Sequence, residues 1–425
     1  MKIAIIGAGS TYTPELIEGF IEYREKMPFQ EISLMDRDPS RLNIIGDFAG
    51  RMLRRAGMEK LLHITTDLEE ALSDAAFVMT QIRVGGSRGR LLDEEIAREF
   101  GLVAQETTGV GGFSHALRAI PQMLEIARIV ECFCPQAWVI NFTNPSGIIT
   151  EALANYSSVK VIGLCNVPLV MRRDIAAALG VQAENLKIDS FGLNHLSWIK
   201  RILLGETDLT AAALEEIEKV EILKKMDSRL IRKLNLIPSP YLRYYYQTDS
   251  VLKEQETETL RAQKVMEIEQ SLLRLYAGPD LDKKPPMLSE RGGALYSVAA
   301  LGLMASLLGT EPVVHTVNVQ NRGAIADIRR NSVVEIPAEI SSRGAESLPF
   351  GALPPSVAPL IRSVKNYEDL TIQAAVEGSA VLAAEALTAH PLVAREETAW
   401  SLLARILEVH GDFLPAGFNK GLKKT

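Results

Sequence analysis

Apolar residues in this chain fall into short continuous runs, separated by longer stretches in which they recur at every third or fourth position. Over roughly the first 165 residues, KIAIIG (2–7), EISLMD (31–36), AFVMTQI (76–82), AWVINFT (137–143) and KVIGL (160–164) read as strands. Between them, TPELIEGFIEYREK, PSRLNIIGDFAGRMLRRAG, HALRAIPQMLEIARIV and PSGIITEALANY carry helical spacing. Strands that are apolar along their whole length are buried on both faces, which a parallel sheet covered by helices provides. The pattern predicts an α/β fold, a Rossmann-like doubly wound parallel sheet that forms a nucleotide-binding domain over residues 1–168.

Beyond about residue 185 the rhythm changes. KIDSFGLNHLSWIKRILL reads as strands joined by a turn, HTVNVQN and SVVEIPAEI as antiparallel strands, and 363–413 as two or three long helices. These predict a second, α+β domain over 169–425 that serves substrate, metal and self-association.

Composition narrows the partners. With 425 residues, 47% of them apolar, the chain is long enough for two domains with a large core. A net charge of −7 without a long basic run argues against nucleic acid or an anionic membrane as the main partner, although a few arginines suffice for one phosphate. The N-terminus enters a strand directly, unlike a secretory signal, and no run nears the ~18 apolar residues of a membrane span. Cys132 and Cys134 are too close for an ordinary bridge, and three cysteines is an odd number, so a reduced, cytoplasmic protein is expected.

The stretch IGAGSTYTPEL follows the first strand and opens the first helix. Gly7 and Gly9 supply the tight turn and close approach that a pyrophosphate needs, although Tyr12 stands where a third glycine is usual. Asp36 closes the second strand, where an acid accepts from ribose hydroxyls and favours NAD over NADP. Asp38 is free to cap the next helix. Ser10, Thr11 and Arg83 join the candidate cofactor contacts.

Cys165, in GLCNVP, lies where a strand should end, and His195 follows in GLNHLSW beside Asn194. A thiolate and an imidazole can share a divalent ion with positions left open to substrate; a small buried cysteine and a hydrogen-bonded core histidine fit the same spacing. In YLRYYY, Tyr241, Tyr244, Tyr245 and Tyr246 stand together. Three of them are expected to pack, and one phenol beside a metal-bound oxygen is a potential general base.

Taken in order, GAGSTYTPEL, RGRLLDEE, QETTGVGGFSHALR, NFTNPSG, GLCNVP, GLNHLSW, PYLRYYY and ERGGALYS resemble the family 4 glycoside hydrolases, specifically their 6-phospho-β-glucosidases. The resemblance implies a lactate/malate dehydrogenase-like fold, NAD and a divalent metal, usually manganese. It implies Cys165 and His195 as metal ligands, Tyr241 as proton acceptor and Glu106 as the group raising its basicity. Arg90, Asn144 and Arg291 fall where the family contacts substrate, with Arg261 a further phosphate candidate; Arg83 and Arg88 lie on a loop that also suits a phosphate. Members acting on α-glycosides tend to carry aspartate directly after the metal cysteine; here Asn166 stands there and cannot act as an acid.

Three other readings stay open at this level. An α-glycosidase of the same family would need that missing acid. A 2-hydroxyacid dehydrogenase on the same fold would need an aspartate partner for His195, and a non-catalytic NAD-binding regulator would leave the tyrosine, cysteine and histidine without a shared task. A homodimer or homotetramer is expected, with the helices of 363–413 available for contact.

Overall fold

The structure, a computed structural model, describes residues 1–293 and 295–418, so Ala294 of ERGGALYS and residues 419–425 lie outside the described residues. Six strands come from the first half: β1 (Lys2–Ile6), β2 (Glu31–Met35), β3 (Leu62–Thr65), β4 (Ala75–Thr80), β5 (Trp138–Asn141) and β6 (Lys160–Gly163). They lie in the order 3-2-1-4-5-6, every neighbouring pair parallel. This is the doubly wound arrangement that the apolar runs predict, and its order reverses between β1 and β4, where such sheets bind ligands.

The β3 segment, LHIT, was not among the predicted strands. It has four residues, sits at the sheet edge and leaves its side chains partly exposed, so it lacks the continuous apolar run of its neighbours. The helix Pro39–Arg55 starts as expected, with the Asp38 carboxylate accepting from the Ser40 and Arg41 N–H groups.

Beyond β6 come β7 (Leu186–Leu193) and β8 (Leu196–Leu204), which form an antiparallel hairpin, with β9 (Thr207–Asp208) and β10 (Ile237–Pro238) pairing onto β8 in a small second sheet. The later strands β11 (Val313–Gln320) and β12 (Val333–Ser341) are antiparallel, as the pattern predicts, and with the unpredicted β13 (Gly344–Ser347) they extend the first sheet. β11 joins β6 through Asn318 and Gly163, which gives a nine-stranded sheet. Without β11, the parallel sheet would end in an open row of backbone donors and acceptors.

The junction is tight. A Cβ on Gly163 would stand 2.2 Å from Thr150 Oγ1 and 2.9 Å from the Asn318 Cβ. Three helices, Ala358–Glu377, Ala380–Ala389 and Glu396–His410, close the second half. Gly163→Ala is expected to cost about 1–3 kcal/mol through overpacking, read as a lower urea midpoint; an unchanged midpoint would show that the junction yields.

Candidate active site

A cleft of about 1200 Å³ opens at the carboxyl ends of the parallel strands. β1 runs into Gly7, whose φ of 90° and approach to the Gln81 carbonyl, 2.9 Å from where a Cβ would stand, exclude any side chain. Gly9 N–H donates to Asp36 Oδ2 at 2.8 Å, and Asp38 N–H donates to Asp36 Oδ1 at 3.0 Å. Asp36 therefore locks the turn after β1 to the end of β2, with lone pairs remaining for ribose hydroxyls.

Ser10 lines the cleft, but Thr11 does not. Thr11 is fully buried, its hydroxyl 3.4 Å from Glu269 and its carbonyl accepting from the Tyr276 hydroxyl, so its side chain is withdrawn from any bound ligand. Tyr12 forms a wall in place of the third glycine: its ring packs edge-on to Tyr296 and carries the Arg291 guanidinium 5.6 Å from its centre.

Glu106 joins two arginines that sequence reasoning had assigned separately. Arg83 Nη2 and Arg90 Nη1 each lie 2.9 Å from Glu106 Oε2, and Arg90 Nε also donates to Glu94 at 2.8 Å. Burial alone would raise the Glu106 carboxyl, but Arg90 and Arg83 hold it well below the usual carboxylate range. Arg291 pairs with Glu269 at 2.9 Å. Arg261, exposed at the rim, donates to the Glu290 and Arg291 carbonyls at 2.8 and 3.2 Å, so it props the loop that carries Arg291. Arg88 is exposed and absent from the cleft wall, because its position on the helix Gly86–Glu99 turns it outward. Asn144 and Asn166 both line the cleft.

The structure brings Cys165 and His195 together. Two residues past β6, Cys165 Sγ lies 3.4 Å from His195 Nε2. His195 sits in the two-residue turn between β7 and β8 at φ 62°, a conformation uncommon for a residue with a side chain and often found at functional positions. Its Nδ1 is 2.8 Å from the Thr107 hydroxyl, and burial pushes the ring down to about 4, leaving a neutral imidazole. Burial, then Glu335, pushes the Cys165 thiol up.

The Tyr241 ring stacks on the His195 ring, with centroids 3.7 Å apart and planes within 5°. Burial, with Cys165, Tyr244 and Glu106 behind it, raises its hydroxyl well above the ordinary phenol range. Tyr244 packs edge-on to Tyr241, and Tyr245 stacks beside His390, as packing residues should.

Thr107, Glu269 and Glu335 were missed from sequence. Thr107 follows Glu106 directly in QETTG, and nothing in the pattern marks it as the partner of a histidine 88 residues away. Glu269 did leave a signal: with Val265, Leu272 and Tyr276 it occupies the buried stripe of the helix Arg261–Ala277. There it collects Arg291 and Ser87, the latter at 2.5 Å.

The chain is similar to known proteins over nearly its whole length. Residues 2–181 match the model described as "Family 4 glycosyl hydrolase", and residues 190–393 match "Family 4 glycosyl hydrolase C-terminal domain". A "Probable 6-phospho-beta-glucosidase" of Bacillus subtilis (strain 168) is 40% identical over 435 residues, covering 99% of this chain and 98% of its own. The 6-phospho-β-glucosidase of Thermotoga maritima, solved with manganese, NAD+ and glucose-6-phosphate, superimposes with a TM-score of 0.91 at 38% identity, over 97% of this chain and 99% of that one. A phospho-α-glucosidase of Clostridium acetobutylicum stands further off, 28% identical over 96% of this chain and 97% of its own. A Plasmodium falciparum malate dehydrogenase (TM-score 0.55, 17% identity, 88% of this chain and 98% of that one) shares the fold alone.

The ion pairs on Glu106 have a measurable consequence. A carboxylate held below its unfolded value stabilises the fold above that value, about 4.3, and the contribution is lost as pH falls through the folded value. Glu106→Gln is expected to cost on the order of 2 kcal/mol at neutral pH and to flatten the acid limb of a urea-stability profile below about pH 4.5. Parallel acid limbs for the two proteins would contradict this assignment.

Proposed function

The chain belongs to the family 4 glycosyl hydrolases, and on that premise we propose that it hydrolyses 6-phospho-β-glucosides with NAD and a divalent metal ion, manganese or another, as cofactors. The observation that carries the reading is the meeting of Cys165, just behind the cleft wall, with His195, which together with Tyr241 lines the cleft.

The residues suit both cofactors. Gly7 and Gly9 bring backbone without side chains to the cleft wall where a pyrophosphate would lie, and Asp36 stands at the ribose end. Cys165 Sγ and His195 Nε2, 3.4 Å apart, are close enough to meet on one ion at bonds of about 2.0–2.3 Å. A thiol that burial pushes up also ionises readily only beside a cation.

Bound NAD+ would supply a reversible hydride acceptor and the cation a Lewis acid, chemistry that would make the C2 proton of the sugar acidic by way of a C3 ketone. With the cation nearby favouring its phenolate form, Tyr241 would take that proton on its phenolate oxygen. The leaving group would depart from C1, water would add to the resulting double bond, and return of the hydride to C3 would restore the alcohol with no net redox change. Glu106 keeps a negative charge near Tyr241 and raises its proton affinity, while Arg83 and Arg90 hold Glu106 in place. Asn144 and Asn166 contact the sugar. Arg291 is the first candidate for the 6-phosphate, with Arg261 supporting its loop. Asn166 follows Cys165 with an amide that has no acidic proton for an α-linked leaving group, and relatives named for α-linked substrates are more distant, at 28% and 29% identity.

Two finer expectations accompany this reading. A reducing, cytoplasmic setting is supported by three free cysteines, one of them a ligand that oxidation would remove, and no helix among the described residues is long and apolar enough to cross a membrane. Self-association is supported by large apolar side chains left exposed, including Val381 at 55% and Val313 at 47%. Light scattering on the purified chain reads the oligomer directly.

The test of function uses an aryl β-glucoside with and without a 6-phosphate. The protein loaded with NAD+ and Mn2+ should cleave the phosphorylated substrate by strong preference, leave solvent deuterium at C2 of the sugar and accumulate no NADH. Tyr241→Phe should lower turnover by about 10²–10⁴-fold, and Cys165→Ser should abolish it whatever Mn2+ is added. Equal turnover after complete removal of NAD, or equal rates on the two substrates, would overturn the proposal.

A further inference from the structure

β12 is buried almost from end to end, yet it carries a carboxylate at its third residue, Glu335, which is 2% exposed. Glu335 Oε2 accepts from Asn194 Nδ2 at 2.8 Å and Asn318 Nδ2 at 3.5 Å, and Oε1 accepts from Ser197 Oγ at 3.0 Å. All three donors are neutral. Every other buried aspartate or glutamate among the described residues pairs with a cation, as Glu94 does with Arg90, Glu151 with Lys365 and Glu269 with Arg291. Glu335 is the exception. A buried carboxylate held only by neutral donors is costly unless a positive charge stands nearby.

The position of Glu335 indicates where that charge belongs. Its partners Asn194, in the turn, and Ser197, on β8, lie on either side of His195, and its own charge is felt at the Cys165 sulfur. Asn318, fully buried with its Oδ1 unpartnered, is fixed by the close approach of β11 to Gly163. A thiolate and a neutral imidazole offset one of the two charges on a divalent cation. One further negative charge balances the site, and Glu335 is the buried carboxylate beside these ligands that no protein cation already neutralises.

We propose that Glu335 is the balancing charge and positioning residue of the divalent-cation site, holding the Asn194–His195 turn against Cys165 and neutralising the second charge of the ion from outside its ligand set. The inference rests on the cation reading of Cys165 and His195 given above and assigns a further residue to it.

The experiment is a calorimetric titration of Mn2+ into the full chain, reduced and saturated with NAD+, with NAD+ affinity measured separately by fluorescence. Glu335→Gln keeps the size of the side chain and an acceptor oxygen for Asn194 and Asn318, lets its NH2 donate to the Ser197 hydroxyl, and removes the charge. It should weaken Mn2+ binding roughly 10–100-fold and leave NAD+ affinity within about twofold. Adding Asn318→Asp to Glu335→Gln returns a carboxylate to the same pocket from the adjacent strand and should recover most of the Mn2+ affinity, an outcome that a purely structural role for Glu335 would not produce. Mn2+ affinity in Glu335→Gln within twofold of the unmodified protein, or no recovery in the double variant, overturns the proposal while leaving the cation site intact. If Glu335→Gln does not fold, the double variant alone decides. An unmodified protein that binds no Mn2+, or binds it equally well as Cys165→Ser, brings down the cation reading instead.

Discussion

The site depends on how closely two strands approach at Gly163. A parallel sheet delivers Cys165 just past the end of β6, and a hairpin in the second half delivers His195 at its turn, but neither strand reaches the other alone. β11 brings them together by pairing Asn318 with Gly163, an approach that a side chain at 163 would crowd. Once that seam is closed, β12 lies beside β11 in fixed register, with Glu335 opposite Asn318 and in contact with Asn194. One glycine at a strand end thus couples the parallel sheet to the hairpin that carries His195 and to the strand that carries Glu335.

The electrostatics follow from that geometry. Acids and bases are drawn into a region of low dielectric, where an unpaired charge is expensive and a paired one is held firmly. Glu106 is held ionised by two arginines, while the Cys165 thiol and the Tyr241 hydroxyl are both pushed upward by burial. The protein is thereby poised for a positive charge that it does not itself supply at this point. A cation there would favour thiolate over thiol, offset Glu335 and make the phenol a stronger acid, three effects of one ion in one place.

The chemistry also explains why the fold of a dehydrogenase serves a hydrolase. Hydride transfer requires a nicotinamide at the carboxyl edge of a doubly wound sheet, and this chain keeps that edge through Gly7, Gly9 and Asp36. The stacked His195 and Tyr241 rings stand in the same cleft. Oxidation, proton removal and re-reduction can then act on neighbouring carbons of one bound sugar without net redox change.

The chain itself determined a good deal. Short continuous apolar runs between turn signals fit strands covered on both faces, so the parallel sheet was legible apart from its edge strand β3, and GAGS after β1 with Asp36 after β2 marked the expected nucleotide edge because those signals are local. The HTVNVQN and SVVEIPAEI runs were readable as antiparallel strands for the same reason. Which sheet they would join was not readable, since pairing with β6 depends on a contact between residues 155 positions apart. Tertiary structure alone decided that Arg83 and Arg90 share Glu106, that Thr11 turns inward and Arg88 outward, that Thr107 meets His195, and that Glu335 bonds Asn194 and Ser197 on either side of His195. Local patterns record what a residue prefers; only the folded chain sets which charges and donors lie within reach of one another, because hydrogen bonds and ion pairs depend on distances that sequence separation does not encode.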